Sequence, residues 1–267
     1  MLSSVLRVLV RFIVLLPGIA IAYFSVQNIF PYFDSRLPLG LAILATYMLG
    51  AYVLIPALIR LVRFIHPPKH LPLYCVTPDG FASDPLNVGL ICSRRQLIST
   101  MEAAGWHRAD PHRLPYVIRF IVLGFLGRPY PNAPVSYLYL FGRKQDVAFV
   151  RSVEDSLVHR HHVRFWAAPP GRDWSFGPPP NSTDTLWVGA ASLDIGAAII
   201  RHNFQVTHMI HPDTDAEREL IVEQIDKTGL AKSVKRVKLS SPYRLVNRVW
   251  RGYLHSDGKM AVIRIKA

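Results

Sequence analysis

Apolar positions run almost unbroken through the first part of the chain and break into short, periodic blocks after it. They extend from about Val8 to Phe30, interrupted by Arg11, Ser25, Gln27 and Asn28, and again from Leu37 to Ile59 without a charge. A helix needs ~20 apolar residues to cross ~30 Å of hydrocarbon, and it satisfies its own backbone groups in lipid. Pro17 and Pro56 are tolerated in such helices. Residues 1–65 are therefore predicted as a transmembrane helical hairpin, with spans of about 8–30 and 37–59 and a turn at Asn28–Pro38. Arg7 and Arg11 precede it, Arg60, Arg63 and Lys69 follow it, and only Arg36 sits in the turn. That bias puts both ends in the cytoplasm, with the rest of the chain on the cytoplasmic face of the inner membrane. A signal peptide cleaved near Ala20-Ile-Ala22 is the rival for the first stretch, and it leaves the remaining residues on the same side. A core hairpin in a soluble protein is a third reading, and the uninterrupted second stretch argues against it.

Residues 66–80 are predicted as a linker, since Pro67, Pro68, Pro72 and Pro78 favour an extended spacer. Residues 81–267 then alternate between two periods. Asp84 to Ser93 reads as a short buried strand. Ser93 or Arg94 opens a helix carrying Leu97, Ile98, Met101 and Ala104, which Gly105 closes. Leu114 to Leu126 predicts an apolar helix, too short to span a bilayer; it is expected in the core, with a place in the membrane interface as the alternative. Val135–Gly142 and Asp146–Arg151 predict a hairpin turning at Gly142–Gln145. His161–Trp166, Thr185–Gly196 and Val206–Ile210 read as strands, and Asp213–Thr228 as a helix closed by Gly229. A final hairpin is expected from Val249–His255 and Met260–Ile265 around Ser256-Asp257-Gly258. The fold class that follows is α+β, a transmembrane hairpin followed by one domain with a mainly antiparallel sheet.

Composition agrees with a membrane segment plus one globular domain. Half the residues are hydrophobic and mean hydropathy is +0.20. The formal charge of +13 is unevenly spread. Residues 71–226 are near neutral, whereas residues 227–267 hold eleven Lys/Arg against Asp257 alone. A basic end beside a bilayer points to anionic lipid headgroups, with a solvated basic face as the bland alternative. Nothing reads as a nucleic-acid module. Cys75 and Cys92 match neither a disulfide framework nor CxxC, and Cys92 sits in an apolar run as a core thiol would.

Candidate chemistry concentrates in three places. Thr207 to Ile225 is the densest cluster of ionisable groups. His208, His211, Asp213 and Asp215 could supply nitrogen and oxygen ligands to a divalent metal. Against that, Pro212 bars the two His from one regular helix. Thr214 and Glu217 also fit a capping box, and Asp213 and Asp215 suit a helix N-terminus. On the strand His161–Trp166, His162, Arg164 and Trp166 share one face. They could line a pocket for an anionic group, or form a solvated face with a snorkelling arginine. Asp194 closes the apolar run from Trp187. If it oriented His162 or His208, a His–Asp acid–base pair would follow. Ser192 and Thr207 are the possible hydroxyl nucleophiles, but no nucleophile elbow and no P-loop are present.

Pro134-Val-Ser-Tyr-Leu-Tyr-Leu-Phe-Gly-Arg-Lys-Gln-Asp146, Arg160-His-His-Val-Arg-Phe-Trp166, Trp187-Val-Gly-Ala-Ala-Ser-Leu-Asp-Ile-Gly196 and Thr207–Glu219 together resemble the LssY C-terminal domain family. The resemblance runs from about Asp84 to Gly229. It implies an accessory domain of bacterial membrane proteins, sometimes attached to lipid-phosphatase-like or DedA-like membrane domains, with no assigned activity of its own. It also implies a second His where Met209 stands and an Asp where His211 stands, so any metal set is altered here. Two functions are carried forward. One is an accessory or binding role at the cell envelope, with membrane lipids or an envelope protein as partner. The other is a metal- or His/Asp-dependent hydrolase acting on a phosphorylated or lipid-linked substrate. In the second, His162, Asp194 and His208 are catalytic, Arg164, Trp166 and Arg218 bind substrate, and His211, Asp213 or Asp215 adds a metal ligand.

Overall fold

The computed structural model describes residues 16, 18–54, 57–58, 61, 71–78, 80–154, 156–169, 176–178, 182–199, 206–246 and 252–266. The chain divides into two compact units, residues 1–67 with 78–81 and residues 68–77 with 82–267.

The first unit is helical over most of its described residues. A π-turn at Ser25–Ile29 leads into α1 (Phe30–Asp34), and α2 (Leu39–Leu49) runs into a second π-turn at Gly50–Leu54. Leu39, Leu41, Ile43 and Leu44 are exposed, as are Tyr47 and Met48 further along. The eleven residues of α2 reach only ~16 Å at ~1.5 Å per residue. Among the described residues no helix is long and apolar enough to cross a membrane. Of the hairpin expected over residues 1–65, residues 18–34 and 39–54 are helical. Residues 1–15, 17, 55–56, 59–60 and 62–65 of it, and residues 66–70 and 79 of the expected linker, lie outside the described set.

The second unit is α+β. Its elements are β1 (Tyr74–Val76), β2 (Ala82–Pro85), β3 (Val88–Cys92), α3 (Arg94–Ala103), β4 (His107–Arg108), α4 (Leu114–Phe125), β5 (Tyr139–Leu140), β6 (Arg143–Lys144), β7 (Val147–Ser152), β8 (His159–Ala167), β9 (Thr185–Ile199), β10 (Val206–Ile210), α5 (Asp215–Lys227), β11 (Ala231–Lys238), β12 (Tyr243–Val246), β13 (Tyr253–Ser256) and β14 (Lys259–Ile265). The main sheet runs β11-β14-β3-β9-β8-β7-β4, with β10 joined to β9. Every pairing in it is antiparallel except β14 with β3.

β9 organises this sheet because it is long. Thr185–Gly189 pairs with β3, and Asp194–Ile199 pairs with β10 further along the same edge. β8 takes the whole opposite edge, from Trp187 to Ile195. Between β3 and β10 the fully buried Asn87 fills the gap. Its side chain donates to the Ala191 and Thr214 carbonyls and accepts from the Ala191 amide, at 2.8–3.0 Å.

Both faces of the sheet are covered, which is why its strands read as apolar runs. On one face Leu90, Phe149, Val163, Phe165 and Ile263 pack with Leu97 and Met101 of α3 and Ile221 and Ile225 of α5. On the other, Trp166, Val188, Met260 and Val262 pack with Cys75, Leu138 and Leu140 of a small sheet ordered β2-β1-β5-β6. α3 starts at Ser93 as expected, through a capping box with Gln96, and Gly105 follows it at φ +81°.

Three expectations are corrected, and one strand is added. β5 and β7 belong to different sheets, and the tight hairpin is β5–β6 instead. Phe141 and Gly142 both have positive φ there, as a two-residue turn of this hand requires. The hairpin expected of Val249–His255 with Met260–Ile265 does not form among the described residues: β13 pairs with β12, and β14 inserts between β11 and β3. The basic residues Lys232, Lys235, Arg236 and Lys238 lie exposed on β11, an edge strand that the sequence pattern did not reveal. Charges there also discourage edge-to-edge pairing. Finally, α4 is not a core helix, because none of its residues is fully buried.

Gly189 shows how tightly β9 is held. A Cβ there would lie 2.6 Å from Phe165 and 2.7 Å from Val88, whereas one on Gly196 would meet only Met209 at 3.8 Å. Gly189→Ala should destabilise the domain by about 1–3 kcal/mol, and Gly196→Ala by well under that, in denaturant unfolding.

Candidate functional site

β8 is built so that alternate side chains face opposite layers. Val163 and Phe165 enter the helix-covered core, while Arg160, His162, Arg164 and Trp166 point to the other face. Four such polar or charged residues on an inner strand would be costly without partners. The partners come from other strands. Register sets Arg160 opposite Asp194 and His162 opposite Ser192 on β9.

The result is a chain of buried charges. Arg164 Nη1 donates to Asp84 Oδ2 at 2.7 Å, and its Nε donates to the Ser136 carbonyl at 3.2 Å. His162 lies between two carboxylates, with Nε2 3.4 Å from Asp84 Oδ2 and Nδ1 3.5 Å from Asp194 Oδ1. Arg160 Nε donates to Asp194 Oδ2 at 3.2 Å, and His208 Nδ1 stands 3.9 Å from the same oxygen. The side chains of Arg160, His162 and Asp194 are each 3% exposed, but that of His208 is 34% exposed. His208 is thus the edge of the cluster that meets solvent. The guanidinium of Arg160 lies 5.3 Å from the Phe120 ring of α4.

Most of this network is paired, but not all of it. Arg160 Nη1, His162 Nδ1, Ser192 Oγ and His208 Nδ1 are buried atoms without a hydrogen-bond partner. Buried polar atoms are rarely left so, and four in one cluster mark a place where a further group can be received.

The charges set distinct protonation states. Burial would raise the carboxyl of Asp194, but the positive charge of His162, with His208 and Arg160, holds it well below the usual carboxylate range. Burial likewise opposes the ionised Asp84, and Arg164 and His162 overcome it. For His162 burial disfavours the imidazolium, yet Asp194 lifts its pKa above the ordinary value. His208 goes the other way. Burial lowers its pKa, and Arg160 and His162 add to that against the pull of Asp194. The two histidines are thus shifted in opposite directions, the separation that acid–base pairs require.

Of the residues singled out in the sequence, His162, Arg164, Asp194 and His208 come together here. The solvated-face reading of β8 is corrected, because its arginines are buried in ion pairs. Asp194 lies within β9 and not at its end. Trp166 shares the face but is fully buried, its Nε1 donating to the Arg143 carbonyl at 3.3 Å. Arg218 is elsewhere and occupied, bonding Asp215, Glu219, Asp257 and the Lys259 carbonyl.

The suggested metal set does not converge. His208 faces Asp194, whereas the Asp213 carboxylate accepts from the Asp215 and Ala216 amides and caps α5. Asp215 accepts from the Asp257 amide at 2.6 Å, and the ring of His211 accepts from the Asp213 amide at 3.2 Å. Among the described residues no group of three or more His, Cys, Asp or Glu is arranged to hold a metal ion. The capping box at Thr214 is also absent. Thr214 donates to the His255 carbonyl, and Glu217 pairs with His161 at 2.9 Å on the opposite face of the sheet.

Asp84 and Arg160 were missed in the sequence. Arg160 falls one step before the alternating run began, and a strand start read two residues earlier would have included it. Asp84 gives no local signal, being 78 residues from His162.

The family model described as LssY C-terminus matches residues 68–260, well over half of the chain and wider than the motifs alone indicate. No curated protein and no solved structure matches the chain.

Two outcomes follow from the cluster. Asp194→Ala leaves Arg160 and His162 buried without their partner and should cost about 3–5 kcal/mol in denaturant unfolding. The pH dependence has a definite sign. The stabilisation from His162 is full below the unfolded-state pKa of ~6.5 and is lost as pH rises through its raised folded value. That from Asp84 and Asp194 is full above ~3.9 and is lost as pH falls through their lowered values. The stability gap between wild type and His162→Gln should therefore narrow from pH 6 upward. A gap that widens instead would mean that His162 is buried neutral.

Proposed function

The chain belongs to the LssY C-terminal family, and from that premise we propose a membrane-attached hydrolase of phosphate esters whose centre is His162, Asp194 and His208. One observation carries this reading: three groups, Arg160, His162 and His208, converge on the single buried carboxylate of Asp194. Attachment is through the apolar helices of the first unit, whose Leu, Ile, Tyr and Met side chains are exposed. The lysines and arginines flanking that segment favour the cytoplasmic face of the membrane for the second unit.

The division of labour follows from charge and exposure. His208, neutral and partly exposed, takes the proton from a water molecule through Nε2, while Nδ1–H faces Asp194. The water oxygen forms a bond to phosphorus as the ester P–O bond breaks. The imidazolium so formed at His208 returns its proton to the leaving alkoxide, while His162, whose two ring nitrogens face Asp84 and Asp194, stays buried and balances the charge of Asp194. The unpartnered Nη1 of Arg160 holds the phosphoryl oxygens, as arginine is suited to do. Arg164 and Asp84 position His162 from its other side. The residues supply this chemistry without a metal step being invoked.

The reading is tested on the full chain in vesicles, with a phosphomonoester lipid and a water-soluble aryl phosphate as substrates. Release of inorganic phosphate should fall by about 10²–10⁴-fold in His208→Gln and in Asp194→Asn. The rate should climb with pH on the acid side as His208 loses its proton below the ordinary histidine range. It should decline on the alkaline side as His162 loses its own above that range. Phosphate release from neither substrate, or equal rates in both variants and wild type, would sink the assignment.

A further inference from the structure

The helix α4 carries its apolar residues on the wrong side for a core element. Leu114, Ile118, Ile121, Val122 and Phe125 recur at helical spacing along one face, with relative exposures of 72, 51, 49, 48 and 89%. Leu126 continues the stripe at 61%. The opposite side does the packing. Phe120 and Leu123 lie against Tyr130, Ala133 and Leu157, and Phe120 also meets Arg160 of the buried cluster. A continuous apolar stripe of this kind marks an interaction surface on a folded domain.

The charges around the stripe say which kind. From Pro111 to Gln145 the chain holds Arg113, Arg119, Arg128, Arg143 and Lys144 and not one Asp or Glu. Arg113 and Arg128 are exposed and flank the two ends of the helix, and Arg119, also exposed, stacks on the Tyr130 ring at 4.6 Å. The helix has 12 residues, ~18 Å, too short to cross a bilayer. Asp110, bonded to the Tyr130 hydroxyl on the packed side, is the acid near the helix, and an apolar face flanked by exposed arginines is the pattern of a helix lying in the plane of the headgroups.

We propose that α4 docks on an anionic lipid bilayer, its Leu114–Phe125 stripe at the acyl boundary and Arg113 and Arg128 on lipid phosphates. The surface goes beyond the chemistry proposed for His162 and His208 and does not depend on it. In this placement Phe120 couples the membrane-facing helix to Arg160, so the bilayer bears on one wall of the buried cluster.

The test uses the full chain with Ile121→Cys carrying an environment-sensitive fluorophore, since Cys75 and Cys92 are both buried and free. Lys227→Cys, exposed on α5, carries the same label as the reference. In vesicles of phosphatidylcholine with 30% phosphatidylglycerol, the label at position 121 should shift to the blue. It should be quenched severalfold more by lipid-borne nitroxide than by aqueous iodide, with the reverse at position 227. Neutral vesicles, or the double change Arg113→Glu and Arg128→Glu, should return position 121 to iodide access. Equal iodide access at both positions in anionic vesicles would overturn the proposal. So would shielding of position 121 in detergent without lipid that grows with protein concentration, which would assign the face to a second copy. Hydrolysis of the soluble aryl phosphate separates this outcome from failure of the catalytic reading, because that assay needs no lipid contact.

Discussion

A carboxylate buried between cations is the constraint around which the second unit is arranged. Asp194 is reached by Arg160 from the neighbouring strand, by His162 two positions further along that strand, and by His208 from the strand on the other side. Three strands therefore have to be in register for one charge to be compensated. A slip of one residue in β8 would turn Arg160, His162 and Arg164 toward Phe149, Ile221 and the other helix-side side chains. Such a slip would bury three unpaired cations and expose Val163 and Phe165 to the charged face. The ion network and the two apolar layers thus enforce the same pairing, and each penalises the errors that the other would permit.

The same arrangement separates structural from chemical work. Asp84, Arg164 and Ser136 are mutually satisfied and form the closed end of the cluster. The end with Arg160, Ser192 and His208 keeps unpaired atoms and the only substantial exposure. Asymmetry of this sort is expected where a rigid inner group holds a reactive outer one. Arg218 forms a second network that closes on itself. By tying Asp215, Glu219 and Asp257 together it joins the start of α5 to the turn before β14. Its bonds leave no apparent vacancy, and its role is to fix the helix on the sheet.

Sequence pattern alone revealed the parts governed by local rules. Period-two alternation gave the two faces of β8, and Ser93 with Gly105 bounded α3. The convergence of His162, Asp194 and His208 could be framed as a condition but not decided, because it depends on β9 pairing with β8 and β10 at once. Polar residues at alternate positions read equally as solvated or as paired, and only partners far along the chain distinguish the two. Asp84 is the clearest case. The apolar run at α4 misled for a related reason: composition shows that a helix is amphipathic or apolar, not which surface covers it. β11 escaped notice because its apolar residues, Ala231, Val234 and Val237, recur only every third position, with exposed Lys232 and Ser233 and then Lys235 and Arg236 between them.

One pairing has a bearing on how the protein is made. β3 lies inside the sheet, yet its partner on one edge is β14, the two running parallel with Val88 beside Ala261 and Ile91 beside Arg264. As the ribosome extends the chain, residues 88–92 emerge long before residues 259–265. Through that interval one edge of an entirely apolar strand has no neighbour, which is the condition under which nascent chains associate with one another. Completion of the fold is consequently deferred until the last strand leaves the exit tunnel, and the unfinished sheet is the species that a chaperone would have to shelter.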